Sequence, residues 1–538
     1  MKKIDLLIKN GTVFDGTGKE PFEADIGIAG DKIAFVGKQS AISSQQSAKN
    51  IDAKGLAVSP GFIDTHAHSE FTLLADPRAE GKISQGITTE INGNCGLSAA
   101  PLYGEAFEHR EKDLAELGIK DRWSTFEEYF NILEGRGIAL NFVTLAGHGN
   151  IRASVIGYKD KKPTASELKK IQALLQKTID AGAIGLSTGL IYPPGIYSDT
   201  DELVSLAKSL SKDRLIYTSH MRSEGKGLIE SIKEIIRIGK EANIKVHISH
   251  IKTSGKENWH KIDEAISLIN SARKRGIKVT CDRYPYTASS TDLDTILPSW
   301  TYEGGAEKEL RRLTSPSVQE KIKKEILHGH PDNDYWTKVS VSSVSSQKNK
   351  WMEGKTLAFI SGRINIKPVD ALFKILIEEK LRAGAIFSSM SEDNLRRFLS
   401  LPYAMIGSDS SARSMSGITY GGKPHPRGFG SFPRFLGKYV RDGKLMSMSE
   451  AVHKITMLPA KTFGIQKRGV IKKGAFADIV VFDPERIIDR ATFDKPFLKS
   501  EGIHYVIVNG LPEVAKGEIT GATAGKILRS QSYSLKKL

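Results

Sequence analysis

Cysteine is nearly absent from this chain: among 538 residues only Cys95 and Cys281 occur. That scarcity excludes a disulfide framework and fits a cytoplasmic protein whose thiols stay free. Long apolar runs are lacking too. No segment approaches the roughly 18 apolar residues that a membrane helix needs, which argues against any membrane span. The opening Met1 to Gly11 carries Lys2 and Lys3, but Asp5 and Lys9 interrupt its apolar part. Such a segment is not a secretory signal and reads as a first strand and turn. One-sided clustering of charge is also missing. The 78 Lys and Arg against 62 Asp and Glu leave a net +16, yet the basic residues sit among acids, as in Glu320-Lys321-Ile322-Lys323-Lys324-Glu325. A nucleic-acid partner is therefore not expected, whereas the positive balance suits an anionic small molecule. Nothing in the sequence specifies an oligomeric state.

What is present is the composition of a soluble globular enzyme, 39% apolar and 26% charged, on a chain long enough for one large domain and a smaller one. Residues 1–57 hold short alternating segments such as Ile4–Ile8, Phe22–Ile28 and Lys32–Phe35 between Gly, Asn and Asp turns. Residues 466–520 repeat that style in Gly469–Phe482 and His504–Gly510. Both ends together predict one small β-sandwich domain, with 521–538 as a tail. Between them, over 58–465, strand candidates end near His68, Cys95, His148, Thr188, His220, His250, Tyr284 and Asp409. Most of the intervals are about 30 residues, one βαβ step, and eight such steps predict a (β/α)8 TIM barrel with its chemistry at the C-terminal strand ends. The gap between the seventh and eighth candidates is too long for one helix and predicts an inserted subdomain at about 293–354.

The unusual residues fall at those strand ends. Val58 to His68 is an apolar run ending in two histidines one residue apart, and the period of a strand turns both imidazoles to one side. That arrangement suits a metal. Leu215–His220 and Lys245–His250 each finish in a histidine. His247, three residues before His250, has the opposite parity and is expected to face the helices as a structural residue. Cys95 ends the second strand, and zinc favours thiolate and imidazole together. Cys281 lies inside the seventh strand and reads as core. Asp409, ending the last strand, is a carboxylate able to take a proton from a metal-activated water and return it to a leaving group. Each has a structural alternative, whether a core imidazole, a buried thiol or a helix-capping carboxylate. Their joint placement favours a site.

These residues sit in motifs that resemble the amidohydrolase superfamily, and more closely its N-acyl-D-amino-acid deacylases, or D-aminoacylases. The motifs are Gly61-Phe62-Ile63-Asp64-Thr65-His66-Ala67-His68, Asn94-Cys95-Gly96, Gly185 to Gly195, His220-Met221-Arg222, Ser249-His250-Ile251-Lys252, Asp282-Arg283-Tyr284-Pro285-Tyr286, Gly407-Ser408-Asp409 and His425-Pro426-Arg427, and they span essentially the whole chain. The resemblance implies an amidohydrolase-type barrel with a tightly held zinc on Cys95, His220 and His250, and a second, weaker metal position lined by His66 and His68. Asp409 is implied as the catalytic base. Lys252, Tyr284 and Arg427 are implied as binders of the substrate carboxylate, with Tyr286 an alternative donor to Tyr284. The fourth strand, Gly185-Leu186-Ser187-Thr188-Gly189, holds no lysine, which sets the chain apart from the hydantoinase and dihydropyrimidinase branch. The loop Ser410 to Lys423 delays the His-Pro-Arg motif, reads as a lid and bears on side-chain preference. The implied reaction is zinc-dependent hydrolysis of N-acyl-D-amino acids. Rival readings are a dipeptidase-like or other amide hydrolase of a carboxylate-bearing substrate and, more remotely, a non-catalytic binding or assembly protein.

Overall fold

A computed structural model describes residues 3–38, 49–211, 215–530 and 533. Both chain ends contribute to one nine-stranded sheet. Its N-terminal strands are Leu6–Val13, Phe22–Ala29, Lys32–Gly37, Lys49–Asp52 and Ala57–Pro60, and its C-terminal strands are Ile479–Phe482, Ile503–Val508, Leu511–Ala515 and Glu518–Ile519. The halves join where Ala57–Pro60 runs antiparallel to Ile479–Phe482, with Val58 opposite Val481. Ile479 and Val481 pack with Ile8, Val13, Ile26 and Val58 in the core of this sheet. Val480 and Phe482, pointing the other way, join the larger core between barrel and helices. Burial on both faces is why this strand reads as a continuous apolar run instead of an alternating one.

One carboxyl in the sheet is buried at a cost. Glu513 is 0% exposed; its Oε1 accepts the Ala524 amide at 2.7 Å, and among the described residues its Oε2 has no hydrogen-bond partner. Burial pushes the carboxyl up to about 8. As pH rises from the ordinary carboxylate range toward 8, the unfolded chain ionises this group while the folded chain does not, so stability is lost over that window. Glu513→Gln keeps the acceptor. It is expected to stabilise the protein by about 2 kcal/mol at pH 8 and not at pH 5, and urea unfolding at the two pH values measures the difference. Equal effects at both would refute a buried neutral acid.

The central architecture is a (β/α)8 barrel. Its strands are β1 (Phe62–Asp64), β2 (Ile87–Asn92), β3 (Asn141–Thr144, resuming at Ala146–Gly147), β4 (Gly185–Gly189), β5 (Ile216–His220), β6 (Lys245–Ile248), β7 (Val279–Arg283) and β8 (Ala404–Ile406). Neighbours pair in parallel from β1 to β3 and from the second segment of β3 to β8. The ring closes where the Thr65 amide reaches the Ile406 carbonyl at 3.4 Å and Ala67 bridges Ser410. A buried ammonium fastens the same seam: Lys82 Nζ lies 2.9 Å from Asp64 Oδ2, Ser408 Oγ and the Ser410 carbonyl. The floor of the barrel is apolar, with Ile63, Ile91, Val143, Ile184, Ile216 and Met405 around Phe463. Outside, helices lay apolar stripes on the strands. Leu228–Ala242, for example, buries Leu228, Ile232, Ile235, Ile236 and Ile238 and stops at Asn243 in the left-handed conformation, a common way to end a helix.

Between β7 and β8 the chain leaves the barrel. Ala288–Asp292, Ala383–Ser388 and Val339–Val344 form an antiparallel sheet around a separate core that includes Leu313, Trp336, Val341 and Leu372. The inserted sheet thus begins before residue 293 and extends past residue 354, the bounds expected from sequence. The misplacement has a physical reason: Ala383–Ser388 looks like any short apolar strand, and its pairing with Ala288–Asp292 carries no local signal. At the far end, Ala524 and Ile527 bridge Ile138 and Phe142, so the segment after the last sheet strand lies along the start of β3. Among the described residues no helix is long and apolar enough to cross a membrane.

Candidate active site

Three residues at strand ends share an uncommon backbone. Cys95 after β2, His250 after β6 and Asp409 after β8 have φ of 53°, 37° and 51°. Left-handed conformation at a non-glycine residue costs on the order of 1 kcal/mol and is held by its surroundings, often at functional sites. The three side chains converge. Cys95 Sγ lies 3.2 Å from His66 Nε2, 3.6 Å from His220 Nδ1 and 3.5 Å from His250 Nε2. Asp409 Oδ1 lies 3.6 Å from His66 Nε2 and 3.3 Å from His68 Nε2.

These separations fit a zinc ligand set. Zinc bonds of about 2.3 Å to sulfur and about 2.0 Å to nitrogen, at a tetrahedral angle, place the two ligand atoms about 3.5 Å apart. Among the described residues three groups bring ligand atoms within 4.8 Å of one another: His66, Cys95 and His250; His66, His68 and Asp409; and His220, Glu224 and His250. Cys95, His220 and His250 do not together make one of these groups; His220 joins Glu224 and His250 instead. The His220 Nε2 is buried without a hydrogen-bond partner among the described residues.

The electrostatics are those of a thiol and a carboxyl set among imidazoles. Desolvation raises the Cys95 thiol, but the charge of His66 and then hydrogen bonds from His220 and His250 outweigh it and hold the thiol well below its usual range. Desolvation likewise raises Asp409, yet Arg427, then His250 and His68, keep its carboxyl well below the carboxylate range. His68 is pulled down by desolvation and lifted, to about 9, by its hydrogen bonds with Asp409 and Cys95. Asp409 is thus ionised at neutral pH, the state a general base requires.

Two carboxylates to which the sequence assigns no role hold this cluster in place. Asp282 Oδ1 accepts the His250 amide at 2.5 Å, and its Oδ2 meets Thr65 Oγ1 at 2.9 Å, His247 Nε2 at 3.0 Å and His66 Nδ1 at 3.6 Å. Glu224 Oε1 meets His250 Nδ1 at 2.8 Å and ion-pairs with Lys252. Partners of this kind fix the orientation of ligating imidazoles. Glu224 had one faint signal, four residues after His220, but it sits in a loop where that spacing has no meaning. His247 corrects an expectation. It lies inside the barrel on Asp282, with its ring 5.2 Å from Phe463, and does not face the helices. Parity failed because β6 ends at Ile248, and the turn at His250 brings both rings inward. His148, a strand-end candidate, instead opens the helix His148–Ile156 and meets Glu202 at 3.1 Å. Cys281 packs among the outer core residues, and desolvation lifts its thiol to about 12.

The remaining site candidates gather on one side. Arg427 Nη1 lies 2.8 Å from Asp409 Oδ2, and its guanidinium stacks 4.7 Å from the Tyr284 ring centroid. Lys252 Nζ is 2.8 Å from His250 Nδ1 and 5.8 Å from the same ring. The Tyr284 hydroxyl is buried without a partner among the described residues, whereas the Tyr286 hydroxyl is engaged by Asp489 at 3.4 Å. The loop Ser410 to Lys423 is pinned on both flanks. Arg78 donates to the Ser416 carbonyl at 2.8 Å, Glu80 accepts the Met415 amide at 2.7 Å, and the Lys423 amide bonds the Ser342 carbonyl at 2.7 Å.

A thiol ringed by strand-end imidazoles, with an ionised carboxylate beside it at the mouth of a (β/α)8 barrel, defines the class of barrel metal-hydrolases. The chain belongs to the amidohydrolase family, whose model matches residues 49–280 and 396–512, and within it to the N-acyl-D-amino-acid deacylase group. It is similar to a D-aminoacylase of Alcaligenes xylosoxydans xylosoxydans, 35% identical over 97% of both chains. An N-acyl-D-glutamate deacylase of the same organism is also 35% identical, over 95% of this chain and 93% of its own length. A crystal structure of N-acyl-D-glutamate deacylase from Bordetella bronchiseptica, complexed with zinc and a phosphonate inhibitor mimicking the tetrahedral intermediate, superposes with a TM-score of 0.82. It is 34% identical and covers 98% of this chain and 100% of its own.

Proposed function

We propose that this protein hydrolyses the amide bond of N-acyl-D-amino acids, releasing a carboxylate and a free D-amino acid. The observation that carries the reading is the Cys95 thiol set among His66, His220 and His250 with Asp409 alongside. Cys95, His220 and His250 would hold one zinc tightly, and His66 and His68 would line a weaker second position. When bound, zinc supplies Lewis acidity, which lowers the pKa of a coordinated water from about 16 to about 7 in favourable sites. Asp409 takes the proton of the attacking water at Oδ1, the oxygen turned toward His66 and His68, and delivers it to the departing amine nitrogen.

Arg427, Lys252 and the unpartnered Tyr284 hydroxyl hold the substrate carboxylate. They offer a planar fork, a point charge and a single donor. Arg427 exchanges its contact with Asp409 for that carboxylate, which frees the base as substrate arrives. Fixing both the carboxylate and the acyl carbonyl leaves one enantiomer room for its side chain.

Amine release from matched N-acetyl-D- and N-acetyl-L-amino acids tests the proposal. The D-substrates are expected to react about 100-fold faster or more, with activity lost on chelation and restored by zinc. Equal rates on both enantiomers would sink the stereochemical reading, and activity that survives chelation would sink the metal-dependent one.

A further inference from the structure

Beside the site lies a cavity of about 200 Å³, smaller than the roughly 300 Å³ at which pockets for whole ligands begin and suited to a side chain. Ser290 and Thr291 line one wall, Ser342 and Gly384 another, and Arg413 and Gly421 of the pinned loop a third. One side of the cavity reaches the site: the Ser290 carbonyl accepts Arg427 Nη2 at 3.2 Å. Thr291 Oγ1 lies 2.9 Å from the hydroxyl of Tyr192, whose ring stands 5.2 Å from that of His220. The cavity wall thus shares Ser290 with the Arg427 guanidinium.

Arg413 is the unusual lining group. Its Nη1 makes long contacts with the carbonyls of Thr419 and Gly421, at 3.4 and 3.3 Å. Among the described residues no carboxylate pairs with it, and desolvation alone lowers its proton affinity. Nε and Nη2 keep the paired geometry that recognises a carboxylate. The backbone behind it is fixed, since the Arg413 carbonyl accepts the Gly81 amide at 2.8 Å, so little order need be imposed when a ligand arrives. Gly384 keeps the space open: a Cβ there would come within 2.5 Å of Ser342 Oγ. The other charged lining group is Asp292. Desolvation first, and Asp113 after it, push the Asp292 carboxyl above the ordinary carboxylate range.

We propose that this cavity receives the substrate side chain and that Arg413 selects one ending in a carboxylate, making N-acyl derivatives of dicarboxylic D-amino acids the preferred substrates. The inference rests on the amide-hydrolysis reading above and names its substrate class. It is tested with N-acetyl-D-glutamate, the near-isosteric N-acetyl-D-glutamine and N-acetyl-D-lysine on the zinc-loaded enzyme. The wild type is expected to favour glutamate over glutamine in kcat/KM by about 30-fold, the worth of a charge-assisted pair. Arg413→Gln brings that ratio to near one, and Arg413→Lys leaves it between. Calorimetric binding of the same compounds to Asp409→Asn protein, in which turnover is expected to be about 10³-fold slower, should reproduce the ratio in Kd. Equal handling of glutamate and glutamine, a preference for lysine, or an Arg413→Gln effect equal on both would overturn the assignment. Failure to hydrolyse any N-acyl-D-amino acid would instead count against the parent reading, and the binding ratio would still decide this one.

Discussion

Asp409→Asn is expected to lower kcat by about 10³-fold, within the range spanned by loss of a general base, while KM stays level or falls. Both halves follow from one contact. The amide cannot take the proton, so turnover collapses. It also no longer holds Arg427 Nη1, which in the structure lies 2.8 Å from Asp409 Oδ2, so the guanidinium is released to the substrate carboxylate. Because Cys95, His220 and His250 are untouched, metal analysis should still find zinc in the variant. Retention of more than about a tenth of the activity, or a KM that rises in step with the fall in kcat, would remove Asp409 from the role of base.

Cys95→Ala is expected to abolish both tight zinc binding and amine release, the latter by about 10³-fold or more. The thiol is the common neighbour of His66, His220 and His250, and without it these imidazoles lose the one ligand atom that joins them. Zinc content after dialysis and kcat should fall together. Cys281→Ala is the control: this thiol faces the outer core and is pushed up to about 12, so its loss leaves zinc content unchanged. Full zinc content in Cys95→Ala protein would move the metal to the group of His66, His68 and Asp409.

Residues that were legible in the sequence owe it to the backbone. Strand period and the C-terminal ends of parallel strands mark His66, His68, Cys95, His220, His250 and Asp409 without any knowledge of contacts, and in the structure each lies within 3.6 Å of another of them. Where the backbone leaves the strand, periodicity stops being informative. His247 was misdirected because two residues beyond β6 the chain turns through positive φ. Asp282 and Glu224 have no role legible in the sequence because carboxylates are common, and what marks these two is contact with His250 from different segments. The inserted sheet was misplaced for a similar reason: Ser289 faces Phe387 across a pairing that no local pattern reports. Arg413 is the clearest case, since in the sequence it is one more arginine in a serine-rich loop and only the cavity beneath it gives it meaning.

The joining of Ala57–Pro60 to Ile479–Phe482 has a consequence for biosynthesis. Ala57–Pro60 leads directly into β1, yet it leaves the ribosome long before its neighbour in the sheet. The barrel seam has the same delay, since Thr65 and Ile406 are 341 residues apart. Contacts this distant slow folding, and until the final strands are translated Ala57–Pro60 presents an unpaired edge to any other extended chain. The nascent protein is therefore most exposed to aggregation near the end of translation, when its imidazoles and thiol are already made and Asp409 has yet to be locked beside them.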